Sequence, residues 1–447
     1  MATNVAPTGL ARDLKSRAEA GRPVRIGLVG AGEMGTDIVT RAALMDGVDV
    51  AAIVDLDAER PHKAVAIAQQ ELGFSADTAS TDALNATIED GKTAVADDPA
   101  LIVQSGLIDV LVDATGVPAV AGDLALSAME AGKHLVMMNV EADVTIGALL
   151  RTEADRLGVV YTLGAGDEPS SCMELVEFVS AMGHTIVAAG KGKNNPLNFD
   201  ATPDEYTEEA QRRNMIPRML VEFVDGSKNM VEMAAIANAT GLIPDKPGMH
   251  GPAAGPKDLE NVLIPETDGG LLKGVGRVDY SVGKGLAPGV FVVAKMDHPR
   301  VRERMKDLKM GDGPYYTFIR PYHLTSLEVP LTCARAVLYG KADMVPLSRP
   351  VADVCALAKR SLAPGDTLDQ IGEYCYRAHI MTAAEAKDAA AVPAGLLAGS
   401  TVTAPIAKGE LLTAQNVAVP KDSKIAALRA RQDDLVYAGA AKELADA

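Results

Sequence analysis

A chain of 447 residues, 48% hydrophobic and 23% charged, has the apolar content to bury a core, and its length suits two or three domains of about 150 residues each. The net charge of -17 argues against a nucleic-acid or anionic-membrane surface, which needs clustered Lys and Arg, but leaves room for a local basic pocket. Residues 1–23 are charged throughout, and no apolar run approaches the roughly 18 residues of a membrane span, so the expectation is a soluble cytoplasmic protein without a signal peptide.

In chain order, residues 6–21 predict a short amphipathic helix. Val24–Val29 is an apolar, β-branched run, and Gly30-Ala31-Gly32-Glu33-Met34-Gly35 after it fits G-x-G-x-x-G. A helical pattern follows, then a second apolar run, Val48–Val54, that ends on Asp55. Strand, glycine turn, helix, strand and acidic tip form a dinucleotide-binding pattern, whereas the glycines alone are a weak signal. Gly30 permits the tight turn, Gly32 admits the pyrophosphate, and Gly35 lets helix and strand pack closely. The phosphates, with Glu33 and Met34 beside them, would sit at the helix N-terminus. Asp55 suits ribose hydroxyls and so NAD, while Arg60 could meet a 2′-phosphate. The structural alternative for this acidic tip is a helix-capping cluster.

Residues 58–72 read as a helix and the polar residues 73–98 as an insertion with at most one helix. Strands at 109–116, 134–138 and 159–163 alternate with helices at 119–131 and 144–157, which predicts a doubly wound parallel sheet. Its ligand edge is the carboxyl end of the strands, where Thr115, Gly116, Asn139 and Glu141 fall, and these are further candidate cofactor contacts. Beyond Gly164 the texture changes. A helix at 170–182 capped by Ser170 or Ser171, a strand at 186–190, a helix at 203–214, a strand at 219–223 and a helix at 225–239 are expected. Loops at 243–258 and 264–275 hold His250, and strands at 289–295 and 315–319 should lie side by side. Residues 332–339 and 350–360 read as helices, short β pieces follow, and 421–447 is a helical tail. The fold class is therefore α/β: a Rossmann domain over 1–165, an α+β catalytic and oligomerisation domain over 166–349, and a small β-rich domain over 350–447.

Several of these motifs together resemble the homoserine-dehydrogenase-like oxidoreductases that carry a C-terminal SAF domain. They are the glycine turn, Asn139-Val140-Glu141-Ala142-Asp143, Gly166-Asp167-Glu168-Pro169 and Gly190-Lys191-Gly192-Lys193-Asn194-Asn195. Residues 362–419, with their Pro-Gly-Asp and Lys-Gly-Glu turns, are similar to SAF domains. Within that group the chain most resembles the second, DXR-like type of 1-deoxy-D-xylulose 5-phosphate reductoisomerase. The resemblance implies formation of 2-C-methyl-D-erythritol 4-phosphate for isoprenoid precursors, NADPH as cofactor and a divalent metal, Mg²⁺ or Mn²⁺. A homoserine-dehydrogenase-type or branched-sugar or polyol dehydrogenase is the alternative.

Lys191 and Lys193 are the sharpest catalytic candidates. Two apart on a strand, they share a face, and paired ammonium groups suit a substrate phosphate or a developing oxyanion. Asn194 and Asn195 would add amide donors to the substrate, and the alternative for the whole segment is a solvated basic turn. Asp167 and Glu168 could bind metal or move a proton, or could simply complement a helix dipole; with distant Asp245 they are the available metal ligands, and no set of three is assigned. His323 is a candidate acid–base group, and Arg320 and Tyr322 candidate substrate contacts, with a purely structural role as the alternative for each. His250 reads as a residue of a covering loop. Cys172, Cys333, Cys355 and Cys375 lack C-x-x-C spacing and read as reduced core thiols. The expected partners are a small phosphorylated or polyol substrate and a second copy of the chain in a homodimer.

Overall fold

The computed structural model describes residues 5–69, 74–193, 197–213 and 215–445, so the expectations for Asn194 and Asn195 lie outside the described residues. Contacts divide the chain into two compact units, Met1–Ser170 with Leu324–Val345, and Ser171–His323 with Pro346–Ala447.

In the first unit α1 (Gly9–Glu19) precedes β1 (Val24–Val29), α2 (Glu33–Ala42), β2 (Val48–Val54) and α3 (Glu59–Gln69). Then come β3 (Ser75–Asp77), α4 (Thr81–Glu89), β4 (Thr93–Ala96), α5 (Pro99–Gln104), β5 (Val110–Asp113), α6 (Pro118–Glu130), β6 (His134–Met137), α7 (Val140–Leu157) and β7 (Tyr161–Leu163). The seven strands form one sheet in the order β3-β4-β2-β1-β5-β6-β7, and every pairing is parallel. Near-continuous burial of β1, β2 and β5 explains their unbroken apolar runs, since a parallel sheet is covered on both faces. The order reverses between β1 and β5, which makes their carboxyl ends the ligand crevice.

Residues 73–98 are no insertion. β3 and β4 extend the sheet, with Ala52–Val54 registered against Ala94–Ala96. Strands of only three and four residues, with Ser75, Asp77 and Thr93 among them, give no periodic signal, which is why the sequence reads as a polar stretch. The helices beside them are capped as their sequences demand: Ser80 accepts from the Ala83 amide, and Asp98 from the Ala100 amide with Pro99 opening its helix. The later segment that rejoins this unit brings the helix Val329–Tyr339, whose Val329, Cys333 and Ala334 are fully buried in one core cluster with Ile26, Leu28, Val110 and Val112.

The second unit holds most of α8 (Glu168–Ala181), then β8 (Thr185–Gly192), α9 (Pro203–Arg212), α10 (Pro217–Val224), α11 (Ser227–Thr240), β9 (Ile243–Pro244), β10 (Arg277–Ser281), β11 (Val290–Lys295) and β12 (Tyr315–Arg320). Its sheet runs β12-β11-β8-β10-β9, with β11 antiparallel to both neighbours, so the two strands expected side by side do pair. Residues 219–223 are helical, not extended. Pro217 starts α10, and Leu220, Val221 and Val224 put one helical face into the core. Residues 350–360 are likewise not a helix. Ala352–Ala358 is β13, paired residue for residue with β14 (Tyr376–Thr382). Alanine and leucine favour helix locally, but the partner strand supplies the hydrogen bonds, and tertiary context overrides propensity. β10 and β14 carry Arg, Asp, Tyr and His among their apolar residues and were not anticipated. The tail is helical over Lys424–Ala445. Among the described residues no helix is long and apolar enough to cross a membrane.

Candidate active site

The glycine turn is shaped by collisions it avoids. Gly30 has φ +103, and a Cβ there would lie 2.5 Å from the Ala114 carbonyl oxygen. A Cβ on Gly35 would lie 2.1 Å from the Gly30 carbonyl oxygen, so the first turn of α2 rests on the end of β1. A Cβ on Gly32 would meet nothing within 4 Å. That open side adjoins the amides of Gly32, Glu33, Met34 and Gly35, which precede the first helical bond from Thr36 to the Gly32 carbonyl (2.9 Å). A pyrophosphate fits such a cradle.

Asp55 closes it. Its Oδ2 accepts the Ala31 amide at 2.7 Å and its Oδ1 the Asp57 amide at 2.9 Å. Arg60 lies 3.3 Å from Asp57 and 3.9 Å from Asp55, so its guanidinium is already shared between two carboxylates. On the same sheet edge, the Thr115 amide donates to Asp113 (2.9 Å), and Gly116 takes φ +64. Asn139 caps α7 by accepting the Ala142 amide at 3.1 Å, while its buried Nδ2 has no hydrogen-bond partner among the described residues. Glu141 stands in the first turn of the same helix. Asp113 Oδ2 is also buried without a hydrogen-bond partner among the described residues, and burial pushes that carboxyl up. Behind it Tyr161 donates to Asp143 at 2.7 Å, and burial raises Asp143 to about 6. Sequence reasoning missed Asp113, Asp143 and Tyr161; the acid ending the apolar strand Val110–Asp113 was the available signal.

Asp167 and Glu168 are half-buried at the start of α8, and the turn before them is held by the Thr325 amide on the Gly166 carbonyl (2.8 Å). Ser170 and Ser171 lie inside that helix and do not cap it. Asp245 is bonded within its own unit. Its oxygens accept from Arg277 Nε (2.7 Å), the Lys273 amide (3.0 Å) and His250 Nε2 (2.9 Å). Burial pushes this carboxyl up, but those hydrogen bonds outweigh it and hold the group below its ordinary value. Arg320 is engaged by Ser171 and Glu174, both at 3.0 Å, and stacks 4.9 Å above the Tyr322 ring. His323 Nδ1 donates to the Pro288 carbonyl at 2.7 Å. These three tie parts of the second unit to one another.

The lysines do come together. Lys191 at the end of β8 and Lys193 just beyond it are 4% and 6% exposed. Lys191 Nζ donates to Glu232, which is fully buried in the middle of α11. Lys228, one helical turn earlier, lies 4.0 Å from the same carboxylate. Lys193 Nζ donates to the Phe223 carbonyl, two residues before buried Asp225, whose carboxylate pairs with Lys359 at 2.6 Å. Burial first, and then Lys191, pull Lys193 down to about 8, while Asp225 and Glu232 pull it back up. Within the second unit, Glu232 is thus flanked by Lys191 and Lys228, and Asp225 by Lys359. Buried ammonium groups stabilise an oxyanion, and one with a pKa near 8 exchanges protons near neutrality. Of this constellation the sequence disclosed only Lys191 and Lys193. The lone Glu232 inside an apolar helix, four residues after Lys228, was the legible hint.

Comparison with known proteins gives two adjoining matches. Residues 30–163 match the NAD-binding domain of homoserine dehydrogenase, and residues 166–329 match the catalytic domain of oxidoreductase DRL. Residues 350–447 lie outside both, and nothing found points to a SAF domain or to the DXR activity in particular. No curated protein matches. Among solved structures, a probable dehydrogenase from Thermotoga maritima is 13% identical over 71% of this chain and 90% of that one, with a TM-score of 0.41. The scyllo-inositol dehydrogenase of Lactobacillus casei, solved with NAD(H) and scyllo-inositol, is 15% identical over 61% and 74%, with a TM-score of 0.33. With two oxidoreductase matches set end to end along it, the chain is an NAD(P)-dependent oxidoreductase.

Proposed function

We propose that the chain is a dehydrogenase that interconverts a carbonyl and a hydroxyl on a small, polyol-type or sugar-acid substrate, with NAD as its preferred cofactor. The observation that carries the reading is Lys193, buried beside the Lys191–Glu232 pair and drawn down to about 8. A nicotinamide dinucleotide, its pyrophosphate held by residues 30–35, would supply or accept the hydride. In reduction, the ammonium of Lys193 gives its proton to the substrate oxygen as negative charge develops there. In oxidation, the neutral amine takes the hydroxyl proton. Lys191, held by Glu232, keeps a fixed positive charge at the same oxygen. The NAD preference rests on Asp55 and Asp57, whose charges would repel a 2′-phosphate and already engage Arg60.

The reductoisomerase reading also needs a metal held by oxygen ligands. The test is turnover of NADH and NADPH, with and without Mn²⁺, on inositols and branched sugar acids, aspartate semialdehyde and 1-deoxyxylulose 5-phosphate. Activity on the polyol group, with NADH favoured, is expected. Activity confined to 1-deoxyxylulose 5-phosphate would overturn the reading. Assembly as a homodimer is part of the proposal and is read by light scattering.

A further inference from the structure

Lys359 stands far along the chain from the catalytic candidates, yet it is built into their surroundings. Its backbone amide bonds the Cys375 carbonyl at 2.9 Å, which fixes it just beyond β13. Its side chain is 2% exposed, and its ammonium makes three contacts: Asp225 Oδ2 at 2.6 Å, and the carbonyls of Ala201 and Glu373 at 2.9 Å each. Asp225 is held at its other oxygen by the Ser227 amide at 2.8 Å, at the start of the helix that carries Glu232. The turn that displays Asp225 also offers the Phe223 carbonyl to Lys193.

We propose that Lys359, supplied by the C-terminal segment, is a positioning residue of the lysine site and acts on Lys193 through Asp225. Residues 346–447 thereby help to build the second unit's reactive site. The catalytic consequence rests on the reading of Lys193 as the proton carrier; the electrostatic link itself does not. Burial pushes the Asp225 carboxyl up, and Lys359 is the first group to oppose that. Ionised Asp225 then supports the charged form of Lys193. The charged groups facing Lys193 among the described residues of this unit are Lys191, Asp225 and Glu232. Lys228 pairs with Glu232 and Lys359 with Asp225, and Arg377 also feels Asp225.

The sign of one shift separates the possible roles. If Lys359 acted directly as a like charge, removing it would raise the Lys193 pKa. If it acts by keeping Asp225 ionised, removing it lowers that pKa, as Asp225→Asn must. The experiment follows lysine Cε signals of the full-length, 13C-lysine-labelled protein across pH, with Lys193 assigned through Lys193→Arg. Lys359→Met and Asp225→Asn should each move the Lys193 inflection down by about one pH unit. The double variant should move it no further than Asp225→Asn alone, and Lys359→Arg should restore it. An upward shift, no shift, or additive shifts in a folded Lys359→Met protein would overturn the proposal. If Lys359→Met does not fold, Lys359→Gln carries the same test. The pH profile of kcat/KM is measured in parallel. A titration that moves while the profile stays still would leave the link intact and remove Lys193 from catalysis.

Discussion

The glycine turn and the lysine cluster are two sites made in opposite ways. The turn is made of backbone: its shape comes from atoms that are absent at Gly30, Gly32 and Gly35, and its charge from amides and a helix end. The cluster is made of side chains whose buried charges set one another's protonation. The first should therefore be intolerant of volume and indifferent to pH. The second should tolerate isosteric change in shape but respond steeply to charge and pH.

The largest expected break is in the cluster. Lys193→Met should lower kcat/KM by about 10²–10⁴ while NADH binding, read by fluorescence titration, stays near wild type. Normal turnover in a folded variant would return this lysine to a structural role. Next is Glu232→Gln, which removes the carboxylate charge paired with buried Lys191. Breaking a buried pair in this way costs about 3–5 kcal/mol, read as a lower urea midpoint. The turn should break differently. Gly35→Ala forces the Gly30 carbonyl or α2 to move, at a cost of about 1–3 kcal/mol, and it should weaken cofactor binding at every pH. The smallest effect sharpens the contrast. In the reductive direction activity should fall as pH rises through about 8, where Lys193 loses its proton, and in the oxidative direction it should rise through the same region. A flat profile across that window, with chemistry rate-limiting, would show that another group carries the proton.

The same contrast decides what could be read from the chain. The turn is contiguous, from Gly30 through Gly35 to Asp55, so its chemistry lies open in the sequence. The lysine site is not. Lys191 and Lys193 stand out after an apolar strand, but Glu232 is 41 positions further on, and the carboxylate of Asp225 is met by a lysine from beyond β13. Nothing local to Lys359 marks it, because a lysine at a strand end is ordinarily a solvated one. The fold divides in the same manner. Long buried strands and the helices between them were legible, whereas β3, β4 and β13 were not, because each owes its extension to a neighbour rather than to its own pattern.

The helix Val329–Tyr339 sets a timetable. Val329, Cys333 and Ala334 complete the core beneath β1 and β5, yet they are translated after the whole segment 171–323. On the ribosome, the cofactor-binding sheet emerges first and must wait, with part of its apolar face uncovered, for a piece of chain made long after it. A fragment ending at residue 165 would inherit that uncovered face permanently, and should aggregate or bind hydrophobic dye where the full chain does not.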